Sequence, residues 1–208
     1  MMNLTEQFWR IGLTLTIFVF CAGNILAQPK AQPKTVADYF MRLPQKHLPI
    51  LEYYKNRRAA IKTLNVKNGY LEIKEKVFDG ETIEAEVALF RQADGAAVIA
   101  LAETSCGMDS CMGALTLLHY DGKNWTDVTE NLLPEITDRM RVDAYNRIKS
   151  DLDEKLAVGD PLPETYYTLP RKGTTVTVLV GEMSAASTNQ NWFYLKWNGA
   201  TFAFSKTK

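Results

Sequence analysis

The stretch Cys106-Gly-Met-Asp-Ser-Cys111 carries the residues best suited to chemistry: two cysteines bracketing a short loop, Met108 and Met112 interleaved with them, and His119 downstream. In an oxidising compartment such a pair closes as a disulfide. Reduced thiolates with thioethers and an imidazole would instead select a soft ion, Cu(I) above all. A redox-active pair wants the tighter C-x-x-C spacing at a helix N-terminus, where one thiol pKa falls; the flanking residues here alternate as strands. A structural disulfide between Cys106 and Cys111 is therefore the expectation, worth roughly 2 kcal/mol through restraint of the unfolded chain. The alternative is a copper-binding protein using Cys106, Met108, Cys111, Met112 and His119.

A second set is aromatic. Trp192, Tyr194 and Lys196 fall on one face of a strand, with Tyr166 and Tyr167 in a neighbouring one. Rigid rings beside a cation supply contact area and a polar handle, the makings of a recognition hot spot for a protein, peptide or glycan. Acid–base chemistry is poorly served. His47 and His119 lie in neither an H-E-x-x-H nor a G-x-S-x-G context, and no phosphate-cradling or dinucleotide glycine motif appears. Glu84 and Glu86 share one strand face opposite Ile83, Ala85 and Val87, and are expected on its solvated side. No catalytic residue and no cofactor is assigned; an exported hydrolase without a recognisable motif stays as an alternative function.

Positioning these residues falls to a chain of 208 residues, 46% hydrophobic, long enough for a real core. Lys plus Arg and Asp plus Glu both number 24, which gives no electrostatic reason to expect a nucleic acid partner. The N-terminus reads as a polar start, an uncharged apolar run and small residues up to Ala27, the order of a secretory signal peptide. Residues 1–27 are accordingly expected to be a signal, with no stable membrane insertion once it is removed. The tandem Ala-Gln-Pro-Lys of 28–34 then reads as an extended spacer. The mature protein is expected to be exported, periplasmic or secreted.

Thr35 with Asp38 three residues on forms a variant capping box, predicting a helix from Val36 to about Leu43 that stops before Pro44. A second helix is expected over Ile50 to Leu64. From Asn68-Gly69 the apolar period changes to two, and short turns separate strands around 71–74, 83–89, 96–104, 114–120 and 125–128. Pro134 to Val158 reads as a long helix with a stripe of Ile136, Met140, Ala144, Ile148 and Leu152. Strands around 166–169, 174–183, 192–197 and 201–205 follow.

The halves align. Val98, Ala100 and Ala102 fall on Val176, Val178 and Val180, and after a one-residue deletion Leu118-x-Tyr120-Asp121-Gly122 falls on Leu195-x-Trp197-Asn198-Gly199. That gives an α+β chain of two tandem lobes, 35–130 and 131–208, each a helix followed by an antiparallel four- to five-stranded meander. Both strand faces are apolar in each lobe, so the second face is expected to be covered by the other lobe or a partner. The tandem layout resembles that of the exported β-lactamase-inhibitor proteins, whose two repeats each lay helices on a four-stranded sheet; no motif residue of that family is matched and no site follows from it. The function expected is that of an exported, non-enzymatic binding or protein-interaction module.

Overall fold

The structure, a computed structural model, describes residues 32–54, 56–76, 82–106, 111–148, 155–162, 164–180 and 191–206. The expected signal and residues 28–31 of the spacer therefore lie outside the described residues. Helix α1 (Val36–Arg42) begins where the sequence places it. Thr35 Oγ1 accepts from the Asp38 amide and the Asp38 carboxylate accepts from the Thr35 amide. Those hydrogen bonds hold the Asp38 carboxyl below its ordinary range.

The second expected helix is replaced by 3-10 turns at Gln45–His47 and Pro49–Tyr53, a single helical turn α2 (Arg57–Ala60), and then strand β1 (Ile61–Asn65). The reason is tertiary. The Arg57 guanidinium donates to the carbonyls of Phe40, Met41 and Leu43, closing the C-terminus of α1. Arg57 is thus a capping group.

Strands β2 (Tyr70–Lys76), β3 (Thr82–Arg91), β4 (Ala97–Cys106), β5 (Cys111–Tyr120) and β6 (Trp125–Asp127) complete a six-stranded antiparallel meander in chain order. Helix α3 (Thr129–Leu132) and helix α4 (Asp138–Ile148) follow. The long helix expected from Pro134 starts instead at Asp138, where Thr137 Oγ1 accepts from the Met140 amide. Strands β7 (Thr165–Thr168), β8 (Thr175–Val180), β9 (Asn191–Trp197) and β10 (Phe202–Ser205) form a second, four-stranded meander. The chain is therefore α+β with two antiparallel sheets, the first with more strands than the pattern suggested.

Alternation along the strands of the first sheet splits its side chains into two cores. Leu71, Ile73, Ala85, Val87, Ile99, Leu101 and Leu118 face α1 and the turns after it, meeting Val36, Phe40, Leu43, Leu48 and Ile50. Tyr70, Ala88, Phe90, Val98, Ala100, Leu115 and Leu117 point the other way, into Val176, Val178, Leu195, Trp197 and Phe202 of the second sheet. Two apolar faces per strand thus reflect three layers, helices on a sheet on a sheet. Ala144 of α4 joins this second core, and Ile136 and Tyr145 pack against it. Among the described residues no helix is long and apolar enough to cross a membrane.

The proposed alignment of the halves meets a difference in register. Strands β4–β6 and β8–β10 have the same up-and-down connectivity, but Val98 pairs with His119 whereas Val176 pairs with Leu195. The partner of Leu195 across the halves is His119, not Leu118, and a one-residue slip reverses faces. Tyr120 accordingly packs on the helix side of its sheet and Trp197 on the sheet side.

Candidate functional site

Among the described residues, two surface grooves differ in chemistry. The wider of these, about 770 Å³, runs where α4 meets the ends of β9 and β10. It is lined by Met140, Ala144, Phe193, Tyr194 and Phe204, with Asp143, Arg147 and Lys206 at its polar margin. Phe193 and Phe204 meet edge to face, their centroids 5.2 Å apart. Phe204 keeps 42% of its surface exposed although the strand pattern aims it at the core face, because β10 is the outermost strand of its sheet. Asp143 and Arg147 are one helical turn apart, so both charges lie on the same face of α4. Rigid apolar rings with a charged border are what ligand clefts are made of.

Of the aromatic set expected from sequence, Tyr194 lines this groove. Lys196 is exposed on the same strand but does not line it. The Trp192 side chain lies outside the described residues. Tyr166 is buried to 2% exposure, and burial raises the pKa of Tyr167, which packs on the intersheet core. Tyr166 is therefore a core group, and Tyr167 is half-buried against the core. Phe193, Phe204 and Met140 were missed as site residues because a strand or helix pattern alone files them as core.

At the cysteine hairpin, Cys106 and Cys111 are directly opposed Cα partners across β4 and β5. Opposed residues in an antiparallel pair stand roughly 4.5–5.5 Å apart at Cα, inside the range a disulfide spans. Their side chains, and Met108, lie outside the described residues. Met112 is 65% exposed. His119 lies seven residues further along β5, roughly 23 Å away at a strand's rise, so it cannot join Met112 in one metal shell. Among the described residues no three His, Cys, Asp or Glu side chains gather to hold an ion. The expected disulfide is checked by mass with and without reductant: the thiols should resist alkylation until reduced, and free labelling of both in the native protein would contradict it.

Among the described residues, carboxylates with raised pKa occur in two places. Glu86 is not on a solvated face, as its spacing suggested, but between the sheets. It accepts from the Tyr70 hydroxyl at 2.7 Å and the Leu169 amide at 2.6 Å. Its cross-strand neighbour Glu72 binds Arg171 at 2.8 Å. Burial raises the Glu86 carboxyl and the Glu72 charge adds to it, opposed by the two hydrogen bonds and by Arg171. Glu84, by contrast, pairs with Lys74 near the surface.

Glu103 is raised by burial alone. Glu103 pairs with Ala85 and Glu86 with Ala102, which puts the two carboxylates on opposite faces of the sheet, not in one acid–base pair. Since the folded pKa of Glu103 lies above its ordinary 4.5, the cost of charging it enters as pH rises through 4.5. Glu103→Gln should therefore be more stable than the parent at neutral pH, with the gain vanishing below that value. Denaturant midpoints across pH check it; a gain independent of pH would contradict it.

No protein-family model matches this sequence. No curated protein matches it either. A solved domain of an uncharacterized protein from Porphyromonas gingivalis W83 is similar in structure. Its TM-score is 0.50 at 13% identity, over 80% of this chain and 95% of that domain. That likeness speaks to the fold alone.

Proposed function

We propose that the chain is an exported binding module that holds a peptide or glycan ligand in the groove between α4 and strands β9 and β10. The observation that carries this reading is the groove itself: Phe193, Tyr194, Phe204 and Met140 gathered in one cleft with Asp143, Arg147 and Lys206 around it. An exposed ring at a sheet edge costs hydration unless something covers it, and aromatic anchors with a charged rim are typical of recognition sites. Export is supported by the leader-like order of residues 1–27 and by the opposed cysteines. The two meanders are read as tandem lobes of one ancestral plan, supported by their shared connectivity.

The test uses N-acetyl-tryptophanamide as a probe of peptide side chains and methyl glucoside as a probe of sugars, each titrated calorimetrically. Phe204→Ser and Met140→Lys should each weaken whichever probe binds about tenfold, the equivalent of about 1.4 kcal/mol, without lowering the unfolding midpoint by much. Equal affinity in parent and variants would remove the site from this groove.

A further inference from the structure

A second groove, on the opposite side of the first sheet from the intersheet core, has a different charge. It holds about 330 Å³ and is walled by Pro49, Ile50, Ile83 and Ala114, with Met112 at its lip. Among the described residues its two ionisable side chains are both acidic, Glu52 and Glu103. Glu103 is half-buried on the central strand β4, and among the described residues it makes no hydrogen bond or ion pair. Carboxylates drawn partly out of water are ordinarily paired, because a charge that loses hydration gains nothing in return without a partner. Its neighbours across β5, Ala114 and Met112, offer no donor side chain.

We propose that this groove receives a lysine or arginine side chain of a partner polypeptide, its aliphatic stem against Ile50, Ile83 and Ala114 and its cationic end on Glu103. The chemistry is complementary on both counts. The apolar walls suit the methylene stem of a basic residue, and the carboxylate pair supplies the counter-charge with no competing base in the lining. A polypeptide rather than a free amine is indicated by Met112. At 65% exposure it extends the apolar surface beyond the groove, where a small amine would leave it bare and a backbone carrying the side chain would cover it. The partner docks on the helix-side face of the first sheet, so this site is independent of the aromatic groove.

The experiment titrates nitrogen-labelled protein with acetyl-Gly-Lys-Gly-amide, its arginine and norleucine counterparts, and n-butylammonium, following backbone amide shifts. The basic peptides should move the amides of Glu103, Ser105, Met112 and Ala114, with the norleucine peptide at least tenfold weaker. Glu103→Gln, which keeps shape and fold, should abolish that difference, and Met112→Ala should weaken the peptides but not n-butylammonium. Norleucine binding as well as lysine, or shifts indifferent to Glu103→Gln, would overturn the proposal. Equal affinity for n-butylammonium and the lysine peptide would overturn the polypeptide as the occupant. Shifts at Phe193, Tyr194 and Phe204 instead would also overturn it, while leaving the aromatic groove standing.

Discussion

Gly113→Ala is expected to destabilise the protein by about 2–3 kcal/mol, the upper end of what overpacking costs. A Cβ at this position would lie 2.6 Å from the Thr165 carbonyl oxygen, 2.9 Å from Tyr166 Cδ1 and 3.0 Å from Tyr166 Cα. Two of those atoms are backbone and cannot rotate away, so β7 would have to lift from β5. The replacement also breaches the layer where Leu115, Leu117 and Tyr166 are sealed. Ala114→Ser makes the control, since Ala114 is exposed on the other face of the same strand. Denaturant unfolding of the two variants decides the matter. Gly113→Ala within about 0.5 kcal/mol of the parent, as for an ordinary surface change, would mean that the sheets do not approach there.

Trp197→Ala should cost about 3–5 kcal/mol, the usual toll of emptying a large aromatic site. Trp197 is 7% exposed, packs at 5.0 Å from Phe202 and 5.8 Å from Phe90, and donates its indole N–H to the Arg91 carbonyl at 2.9 Å. It therefore ties the second sheet to the first at one corner, next to a backbone bond from Ala93 to Gly199. Trp197→Phe separates the contributions. It keeps most of the apolar contact but strands the Arg91 carbonyl, and should lose about 1–3 kcal/mol. If Trp197→Ala unfolds at the parent's denaturant midpoint, the intersheet core is misplaced.

Much of this fold is local enough to read from sequence, and the errors have physical causes. The capping box at Thr35 and Asp38 needs only residues three apart, so α1 begins where expected. Strands β2 to β5 show period-two alternation bounded by turn residues, and all appear. The helix expected over Ile50 to Leu64 failed because its fate was set by Arg57 reaching carbonyls fourteen and more residues away, a contact no window of pattern contains. Register between halves was illegible for a related reason. Leu115, Leu117 and Leu118 make β5 apolar on both faces, so the pattern cannot choose between two alignments one residue apart.

The site was half legible. Tyr194 could be singled out as a strand aromatic, but Phe193 and Phe204 look like core until β10 is known to be an edge and α4 is known to flank it. Glu86 looked solvated because its face was polar at Glu84; Leu169, eighty-three residues on, supplies the amide that binds it, and Arg171 just beyond adds a positive charge nearby. A carboxylate's surroundings are a property of the fold, not of its spacing.

If ligand is held between α4 and the edge of the second sheet, a bound probe will map there on the backbone. Amide spectra of the labelled protein should be recorded with rising N-acetyl-tryptophanamide and, separately, methyl glucoside. Saturable shifts are expected for at least one probe, concentrated at Asp143, Arg147, Phe193, Tyr194, Phe204 and Ser205, with their loss in Phe204→Ser. Shifts concentrated elsewhere, or no saturable response to either probe, would contradict it.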